Sequence, residues 1–220
     1  MALTKFNFNS FDVTTAASKG LGFNASANGF STFDDTSMVL IKTLTASSSA
    51  TLSFVDGSSD VVLDNTYPVY MFKFINIHPA TDSVHFLFQG DTGTNTNYNQ
   101  TITSACIRAY NYEGSGTPAL QYYTSGDLAQ GTDFHYMTGN AGVGNDSDQS
   151  FNGTLHLFNP SDTTFVKHFL IDTHSHGPSN YTMRFLVGGY FNTTSAITRL
   201  RFKFSSGNID SGTIKLYGVS

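Results

Sequence analysis

His174-Ser175-His176 is the first place in this chain where residue type and spacing suggest chemistry. Residues two apart on a strand share a face, so the pair would set two imidazoles side by side, half of a metal site. No third ligand suggests itself nearby, and Gly177-Pro178-Ser179-Asn180 turns the chain at once. We therefore expect no metal and no cofactor. Asn145-Asp146-Ser147-Asp148 opens like a calcium loop, but Gln149-Ser150-Phe151 runs into a strand where such a loop needs Gly and then a bidentate Glu. A polar turn is the reading, with a loosely held calcium at Asp146 and Asp148 as the alternative. His78 at a corner, and His85, His156 and His168 within strand patterns, read as packed or surface histidines.

Catalytic patterns fail more plainly. The sequence holds one glutamate, Glu113, whereas glycoside hydrolysis needs two carboxylates flanking a bond. No Gly-x-Ser-x-Gly elbow is present. Cys106 lies between Ala105 and Ile107 in a strand pattern and is expected to be buried and inert. Gly139-Asn140-Ala141-Gly142-Val143-Gly144 lacks a following Lys-Ser/Thr pair or helix, so it reads as a mobile loop rather than a phosphate cradle. We expect no catalytic residues and no enzyme.

Composition bounds the partners. Charged residues make up only 12% of the 220, and Asn, Ser and Thr together supply about a third. Such a surface suits close packing of many copies without strong mutual repulsion. Twenty Phe and eleven Tyr, with no Trp, provide core bulk. A net charge of −5 with no basic run argues against nucleic acid. One cysteine excludes an internal disulfide, and no apolar stretch is long enough for a membrane helix. Met-Ala-Leu-Thr opens no signal peptide, so we expect the Asn-x-Ser/Thr triplets, from Asn24 to Asn192, to carry no glycan.

The elements that must position these residues are strands. Alternation of period two, punctuated by Gly, Asn, Asp and Pro, recurs along the chain. It predicts a hairpin of 69–78 and 84–89 about the turn Pro79-Ala80-Thr81-Asp82. Further strands are predicted at 50–55, 100–110, 151–158, 165–172, 181–191, 196–204 and 213–219, with a short helical turn at 126–137. The fold class that follows is all-β, an antiparallel two-sheet jelly-roll-like sandwich over 38–220. Residues 1–37 carry Phe6, Phe8, Phe11, Phe23, Phe30 and Phe33 with no sustained period. Either they form a first strand plus loops on the same sandwich, or an arm whose phenyl rings dock on a neighbouring subunit.

Three segments, Tyr70 to Asp82, Leu155 to His168 and Arg201 to Val219, resemble virion structural proteins of marine tailed bacteriophages, including cyanophages, some of them tail-fibre-like. The resemblance runs from about Leu44 to the C-terminus. It implies a β-sandwich displayed on the virion exterior and made in the host cytoplasm. We expect a capsid decoration or cement protein or a similar exterior component, a homotrimer whose partners are itself and the major capsid protein or other virion proteins. The rival expectation is a tail-fibre or receptor-binding module that stacks host glycan on Tyr110, Tyr112, Tyr122 and Tyr123, with Tyr98 nearby in the same loop-rich end.

Overall fold

Strict alternation of buried and exposed side chains governs the long strands. Along Lys167–Gly177 the odd-numbered residues are buried and the even-numbered ones face outward; Tyr181–Phe191 repeats the pattern over most of its length. That patterning is what a sheet with one covered face demands.

The computed structural model describes residues 20–24, 26, 29–33, 37–140 and 142–220. They fall into two units, Met1–Met38 and Val39–Ser220. In chain order the strands are β1 (Gly20–Phe23), β2 (Phe30–Phe33), β3 (Met38–Thr45), β4 (Leu52–Val55), β5 (Val69–Pro79), β6 (Phe86–Thr92), β7 (Ile102–Tyr112) and β8 (Ala119–Tyr122). There follow β9 (Ala129–Gly131), β10 (His135–Tyr136), β11 (Phe151–Phe158), β12 (Lys167–Gly177), β13 (Tyr181–Phe191), β14 (Ile197–Phe204) and β15 (Ile209–Val219). No helix occurs among the described residues, and the predicted helical turn at 126–137 is instead β9 and β10. These short strands pair with β7 and β6, and that pairing overrides the weak local preference.

The second unit is a sandwich of two antiparallel sheets. The large one has the order β3-β15-β5-β11-β12-β13-β7-β8, with β9 also on β7; the small one runs β10-β6-β14-β4. The fold class is therefore an all-β two-sheet sandwich, while nine strands against four in this order do not establish a jelly roll. Between the sheets lies a phenyl cluster. Phe202 of β14 sits 5.2–6.2 Å, centroid to centroid, from Phe54, Phe72, Phe74 and Phe86. The contacts are edge-on to Phe54 and Phe74, tilted to Phe72 and parallel to Phe86, a mixture that suits the ring quadrupoles.

Two expectations need correction. β5 and β6 are not a hairpin: β5 pairs with β11 and β15, β6 with β14 and β10, so residues 80–85 arch from one sheet to the other. Both strands point aromatics at one core, and Phe74 meets Phe86 across the gap at 5.6 Å. Side-by-side pairing would forfeit that contact. The glycine-rich stretch is also no mobile loop at its end. Val143 is wholly buried and exchanges backbone hydrogen bonds with Val84, its N–H donating at 2.8 Å. Gly142 sits at φ +83° with the Val84 carbonyl only 2.2 Å from where a Cβ would stand, so only glycine fits.

Because Phe202 joins rings from both sheets, Phe202→Ala should cost about 3–5 kcal/mol in urea unfolding, among the largest single losses in the chain.

Candidate functional site

The outer face of the large sheet grades from polar to apolar along its strands. At one end the register aligns Asn111 of β7, Thr182 of β13 and His176 of β12 in one cross-strand row. The next row holds Ala109, Arg184, His174 and Asn152. The loops beyond add Glu113 after β7 and Asp148 and Ser150 before β11, and these three with Asn111, Tyr112, Asn152, His174, His176 and Thr182 line a cleft of about 500 Å³. The two imidazoles do share one face, as their spacing predicts.

Hydrogen bonding fixes part of this cleft. Asn152 accepts from the Asn76 N–H at 2.8 Å and donates to Ser150 Oγ at 3.2 Å, and His174 Nε2 bonds Thr182 Oγ1. Burial, and then the neighbouring His176, hold the His174 imidazole below its usual pKa. His176 Nε2 is buried without a hydrogen-bond partner, 3.6 Å from Glu113 Oε1. Among the described residues no three His, Cys, Asp or Glu side chains converge as metal ligands. Asp146 is occupied in a closed turn, its carbonyl accepting from Gln149 N–H at 2.9 Å and from His78 Nε2 at 3.2 Å.

Past the Arg184–Asp172 pair, hydrogen bonded through two contacts of 3.0 and 2.7 Å, the face turns apolar. Tyr122 of β8, Ile107 of β7 and Leu186 of β13 stand opposite one another. The next row runs Gly188, Leu170, His156, Met71 and Tyr217 across β13, β12, β11, β5 and β15. Gly188 leaves a dent in this band, since a Cβ there would meet only Leu170 Cδ2, at 3.6 Å. The small sheet's outer face differs. Its residues Arg201 and Lys203 lie over the rings of Tyr98 and Phe134, at 3.8 and 4.5 Å from the centroids, so loop aromatics roof that side.

The tyrosines expected to form one glycan platform are dispersed. Tyr122 joins the apolar band on the outer face, whereas Tyr110 opposes buried Met183, Tyr112 opposes Tyr181, and Tyr123 packs edge-on against buried Phe185. Tyr110 and Tyr112 do touch, edge to face at 5.8 Å. Strand parity separates them: Ile107 opposite Tyr122 points one way, Tyr110 the other. Of the six phenylalanines expected to dock, Phe6, Phe8 and Phe11 lie outside the described residues. Phe23 and Phe30 face each other across the β1–β2 hairpin, stacked at 5.1 Å and both exposed, with Phe33 opposite Gly20 at its other end.

A residue that sequence reading passed over is the most deeply placed histidine. His135 is wholly buried; its Nδ1–H donates to the Tyr136 carbonyl at 2.6 Å, so Nε2 accepts from the Ser104 hydroxyl at 2.7 Å. The Ser–His pair has the spacing of a nucleophile and its base. Ser104 Oγ, however, also accepts the Leu128 N–H at 3.0 Å, and His135 has no open side, so the pair ties β7 to the 128–136 segment. Cys106, buried beside it, has its thiol pushed up to about 12 by burial and then by Asp127.

No known protein family, curated protein or solved structure matches the chain.

Burial lowers the His135 pKa to about 4 from the ordinary 6.5. Its stabilising contribution is thus complete above 6.5 and is lost as pH falls through about 4, a loss of about 3 kcal/mol. His135→Gln should flatten the slope of urea-unfolding free energy against pH between those limits, whatever it costs at pH 7. An unchanged slope would show that the histidine titrates normally.

Proposed function

We propose that the chain is a non-enzymatic structural subunit of a virion exterior, a capsid decoration or cement protein that seats its large sheet on copies of itself and on capsid subunits. The observation that carries the reading is the bare apolar band. Leu170 is 52% exposed, Tyr122 53%, Ile107 45% and Leu186 37%, all on adjacent strands of one face. A stable monomer seldom leaves such side chains contiguous and wet. Covering them on a partner returns about 25 cal/mol for each Å² of apolar surface removed from water.

The virion setting rests on the resemblance of segments 70–82, 155–168 and 201–219. Three of the strands they supply or enter, β15, β5 and β11, are consecutive in the large sheet, and β12 follows. They therefore share the face proposed for docking. Association as a homotrimer accords with the threefold junctions of a shell. The exposed Phe23–Phe30 stack offers a second, smaller anchor.

Two measurements test the reading. Leu170→Glu with Leu186→Glu should leave the melting temperature within a few degrees, both positions being exposed, yet hold the purified chain monomeric in sedimentation where the wild type associates. Equal association of the two proteins would refute the sheet face as the interface. Deletion of residues 1–35 should abolish incorporation into particles if the phenylalanine-bearing segment anchors the subunit, and normal incorporation would remove that segment from the account.

A further inference from the structure

We infer that the polar cleft at the end of the large sheet's outer face binds a neutral, polyhydroxylated ligand, a sugar unit of a glycan. The inference is independent of the assembly reading, because it rests on residues outside the apolar band. A volume of about 500 Å³ is that of a small-molecule site.

The lining selects the ligand class by elimination and then by fit. All nine lining side chains carry hydrogen-bonding groups, none is aliphatic, and none is Lys or Arg. An apolar ligand would strip these groups of water without replacing their hydrogen bonds, and an anion meets Glu113 and Asp148 with no Lys or Arg on the wall. A metal ion lacks three converging ligands among the described residues. A sugar presents adjacent hydroxyls that each donate and accept. The carboxylates of Glu113 and Asp148 accept only, while the amide of Asn111 does both, so donors and acceptors can be matched around a ring.

Unspent capacity points to the same place. Asn152 and the His174–Thr182 pair are already held by hydrogen bonds and act as fixed walls. By contrast, Asn111 and Asp148 hold no side-chain hydrogen bond with the described residues. His176 Nε2 is buried, makes no hydrogen bond and lies 3.6 Å from Glu113 Oε1, on a side chain that is 66% exposed. A buried polar atom left without a partner costs on the order of 1–3 kcal/mol. Outward rotation of Glu113 would let a ligand hydroxyl enter between carboxylate and imidazole and satisfy both.

The experiment is a titration of the full ¹⁵N-labelled chain, followed by its amide resonances, with glucose, galactose, mannose, N-acetylglucosamine, glucuronate and, separately, Zn²⁺. Short neutral oligosaccharides on a glycan array extend the panel. At least one neutral sugar should shift amides at 111–113, 148–152 and 174–182 saturably in the millimolar range. Asp148→Ala and Asn111→Ala should each weaken it about tenfold, one hydrogen bond to a charged or amide group, without changing the melting temperature. Leu170→Glu should leave sugar binding intact, which separates this site from the docking face. Absence of saturable shifts and array signal with every neutral sugar would overturn the inference. So would tighter binding of glucuronate than of glucose, unchanged affinity in Asp148→Ala, or saturation of the same amides by Zn²⁺ alone.

Discussion

Phe202 reaches four phenyl rings from β4, β5 and β6, and the rest of the sandwich is arranged around keeping that cluster dry. The small sheet has too few strands to roof the inner face of the large one. Residues 123–140 and 142–144 complete the cover, with Met137 and Val143 buried and Thr173 Oγ1 donating to the Met137 carbonyl at 2.7 Å. Even the chain path follows from the cluster. Neighbouring aromatic strands such as β5 and β6 are split between sheets so that their rings meet edge-on across the gap instead of lying side by side.

A seal built partly from loops must bury backbone polar groups, and dedicated side chains satisfy several of them. Asp91 accepts four donors, from Thr92 N–H, Asn95, Tyr98 N–H and Gln100, and so fixes the 92–100 loop. Gln89 donates to the carbonyls of Gln100, Thr132 and Asp133. Lys167, fully buried, donates to the carbonyls of Phe165 and Thr194, and desolvation lowers its pKa against the opposing pull of Asp162. His135 belongs to this set. These groups look like chemistry in isolation, yet their lone pairs and protons are committed to holding loops over the core.

Much of the fold could be read from residue order, because the dominant signal has period two. Strands 151–158 and 181–191 emerge at the bounds predicted for them, and the one predicted at 165–172 runs instead from Lys167 to Gly177. What could not be read was which strands share a sheet. Pro79-Ala80-Thr81-Asp82 serves a hairpin or an arch equally well, and only the phenyl partners across the gap decide. Gly142 illustrates the same limit, since a glycine answering a carbonyl 58 residues away looks like any flexible loop glycine. The cleft was invisible for a related reason. Asn111, Asp148, His176 and Thr182 come from separate segments, and registers across three strands bring them together.

The two broad faces of the sandwich are finished differently: cationic side chains and loop rings close one, while the other is left as open sheet. If the open side is the one that docks, as proposed above, adhesion through such a body would be one-sided: a copy settled on a support would turn its roofed side to the solvent, and growth would stop at a coat one molecule thick. The polar end of the open side, set beyond the Arg184–Asp172 pair, would then lie at the rim of that coat.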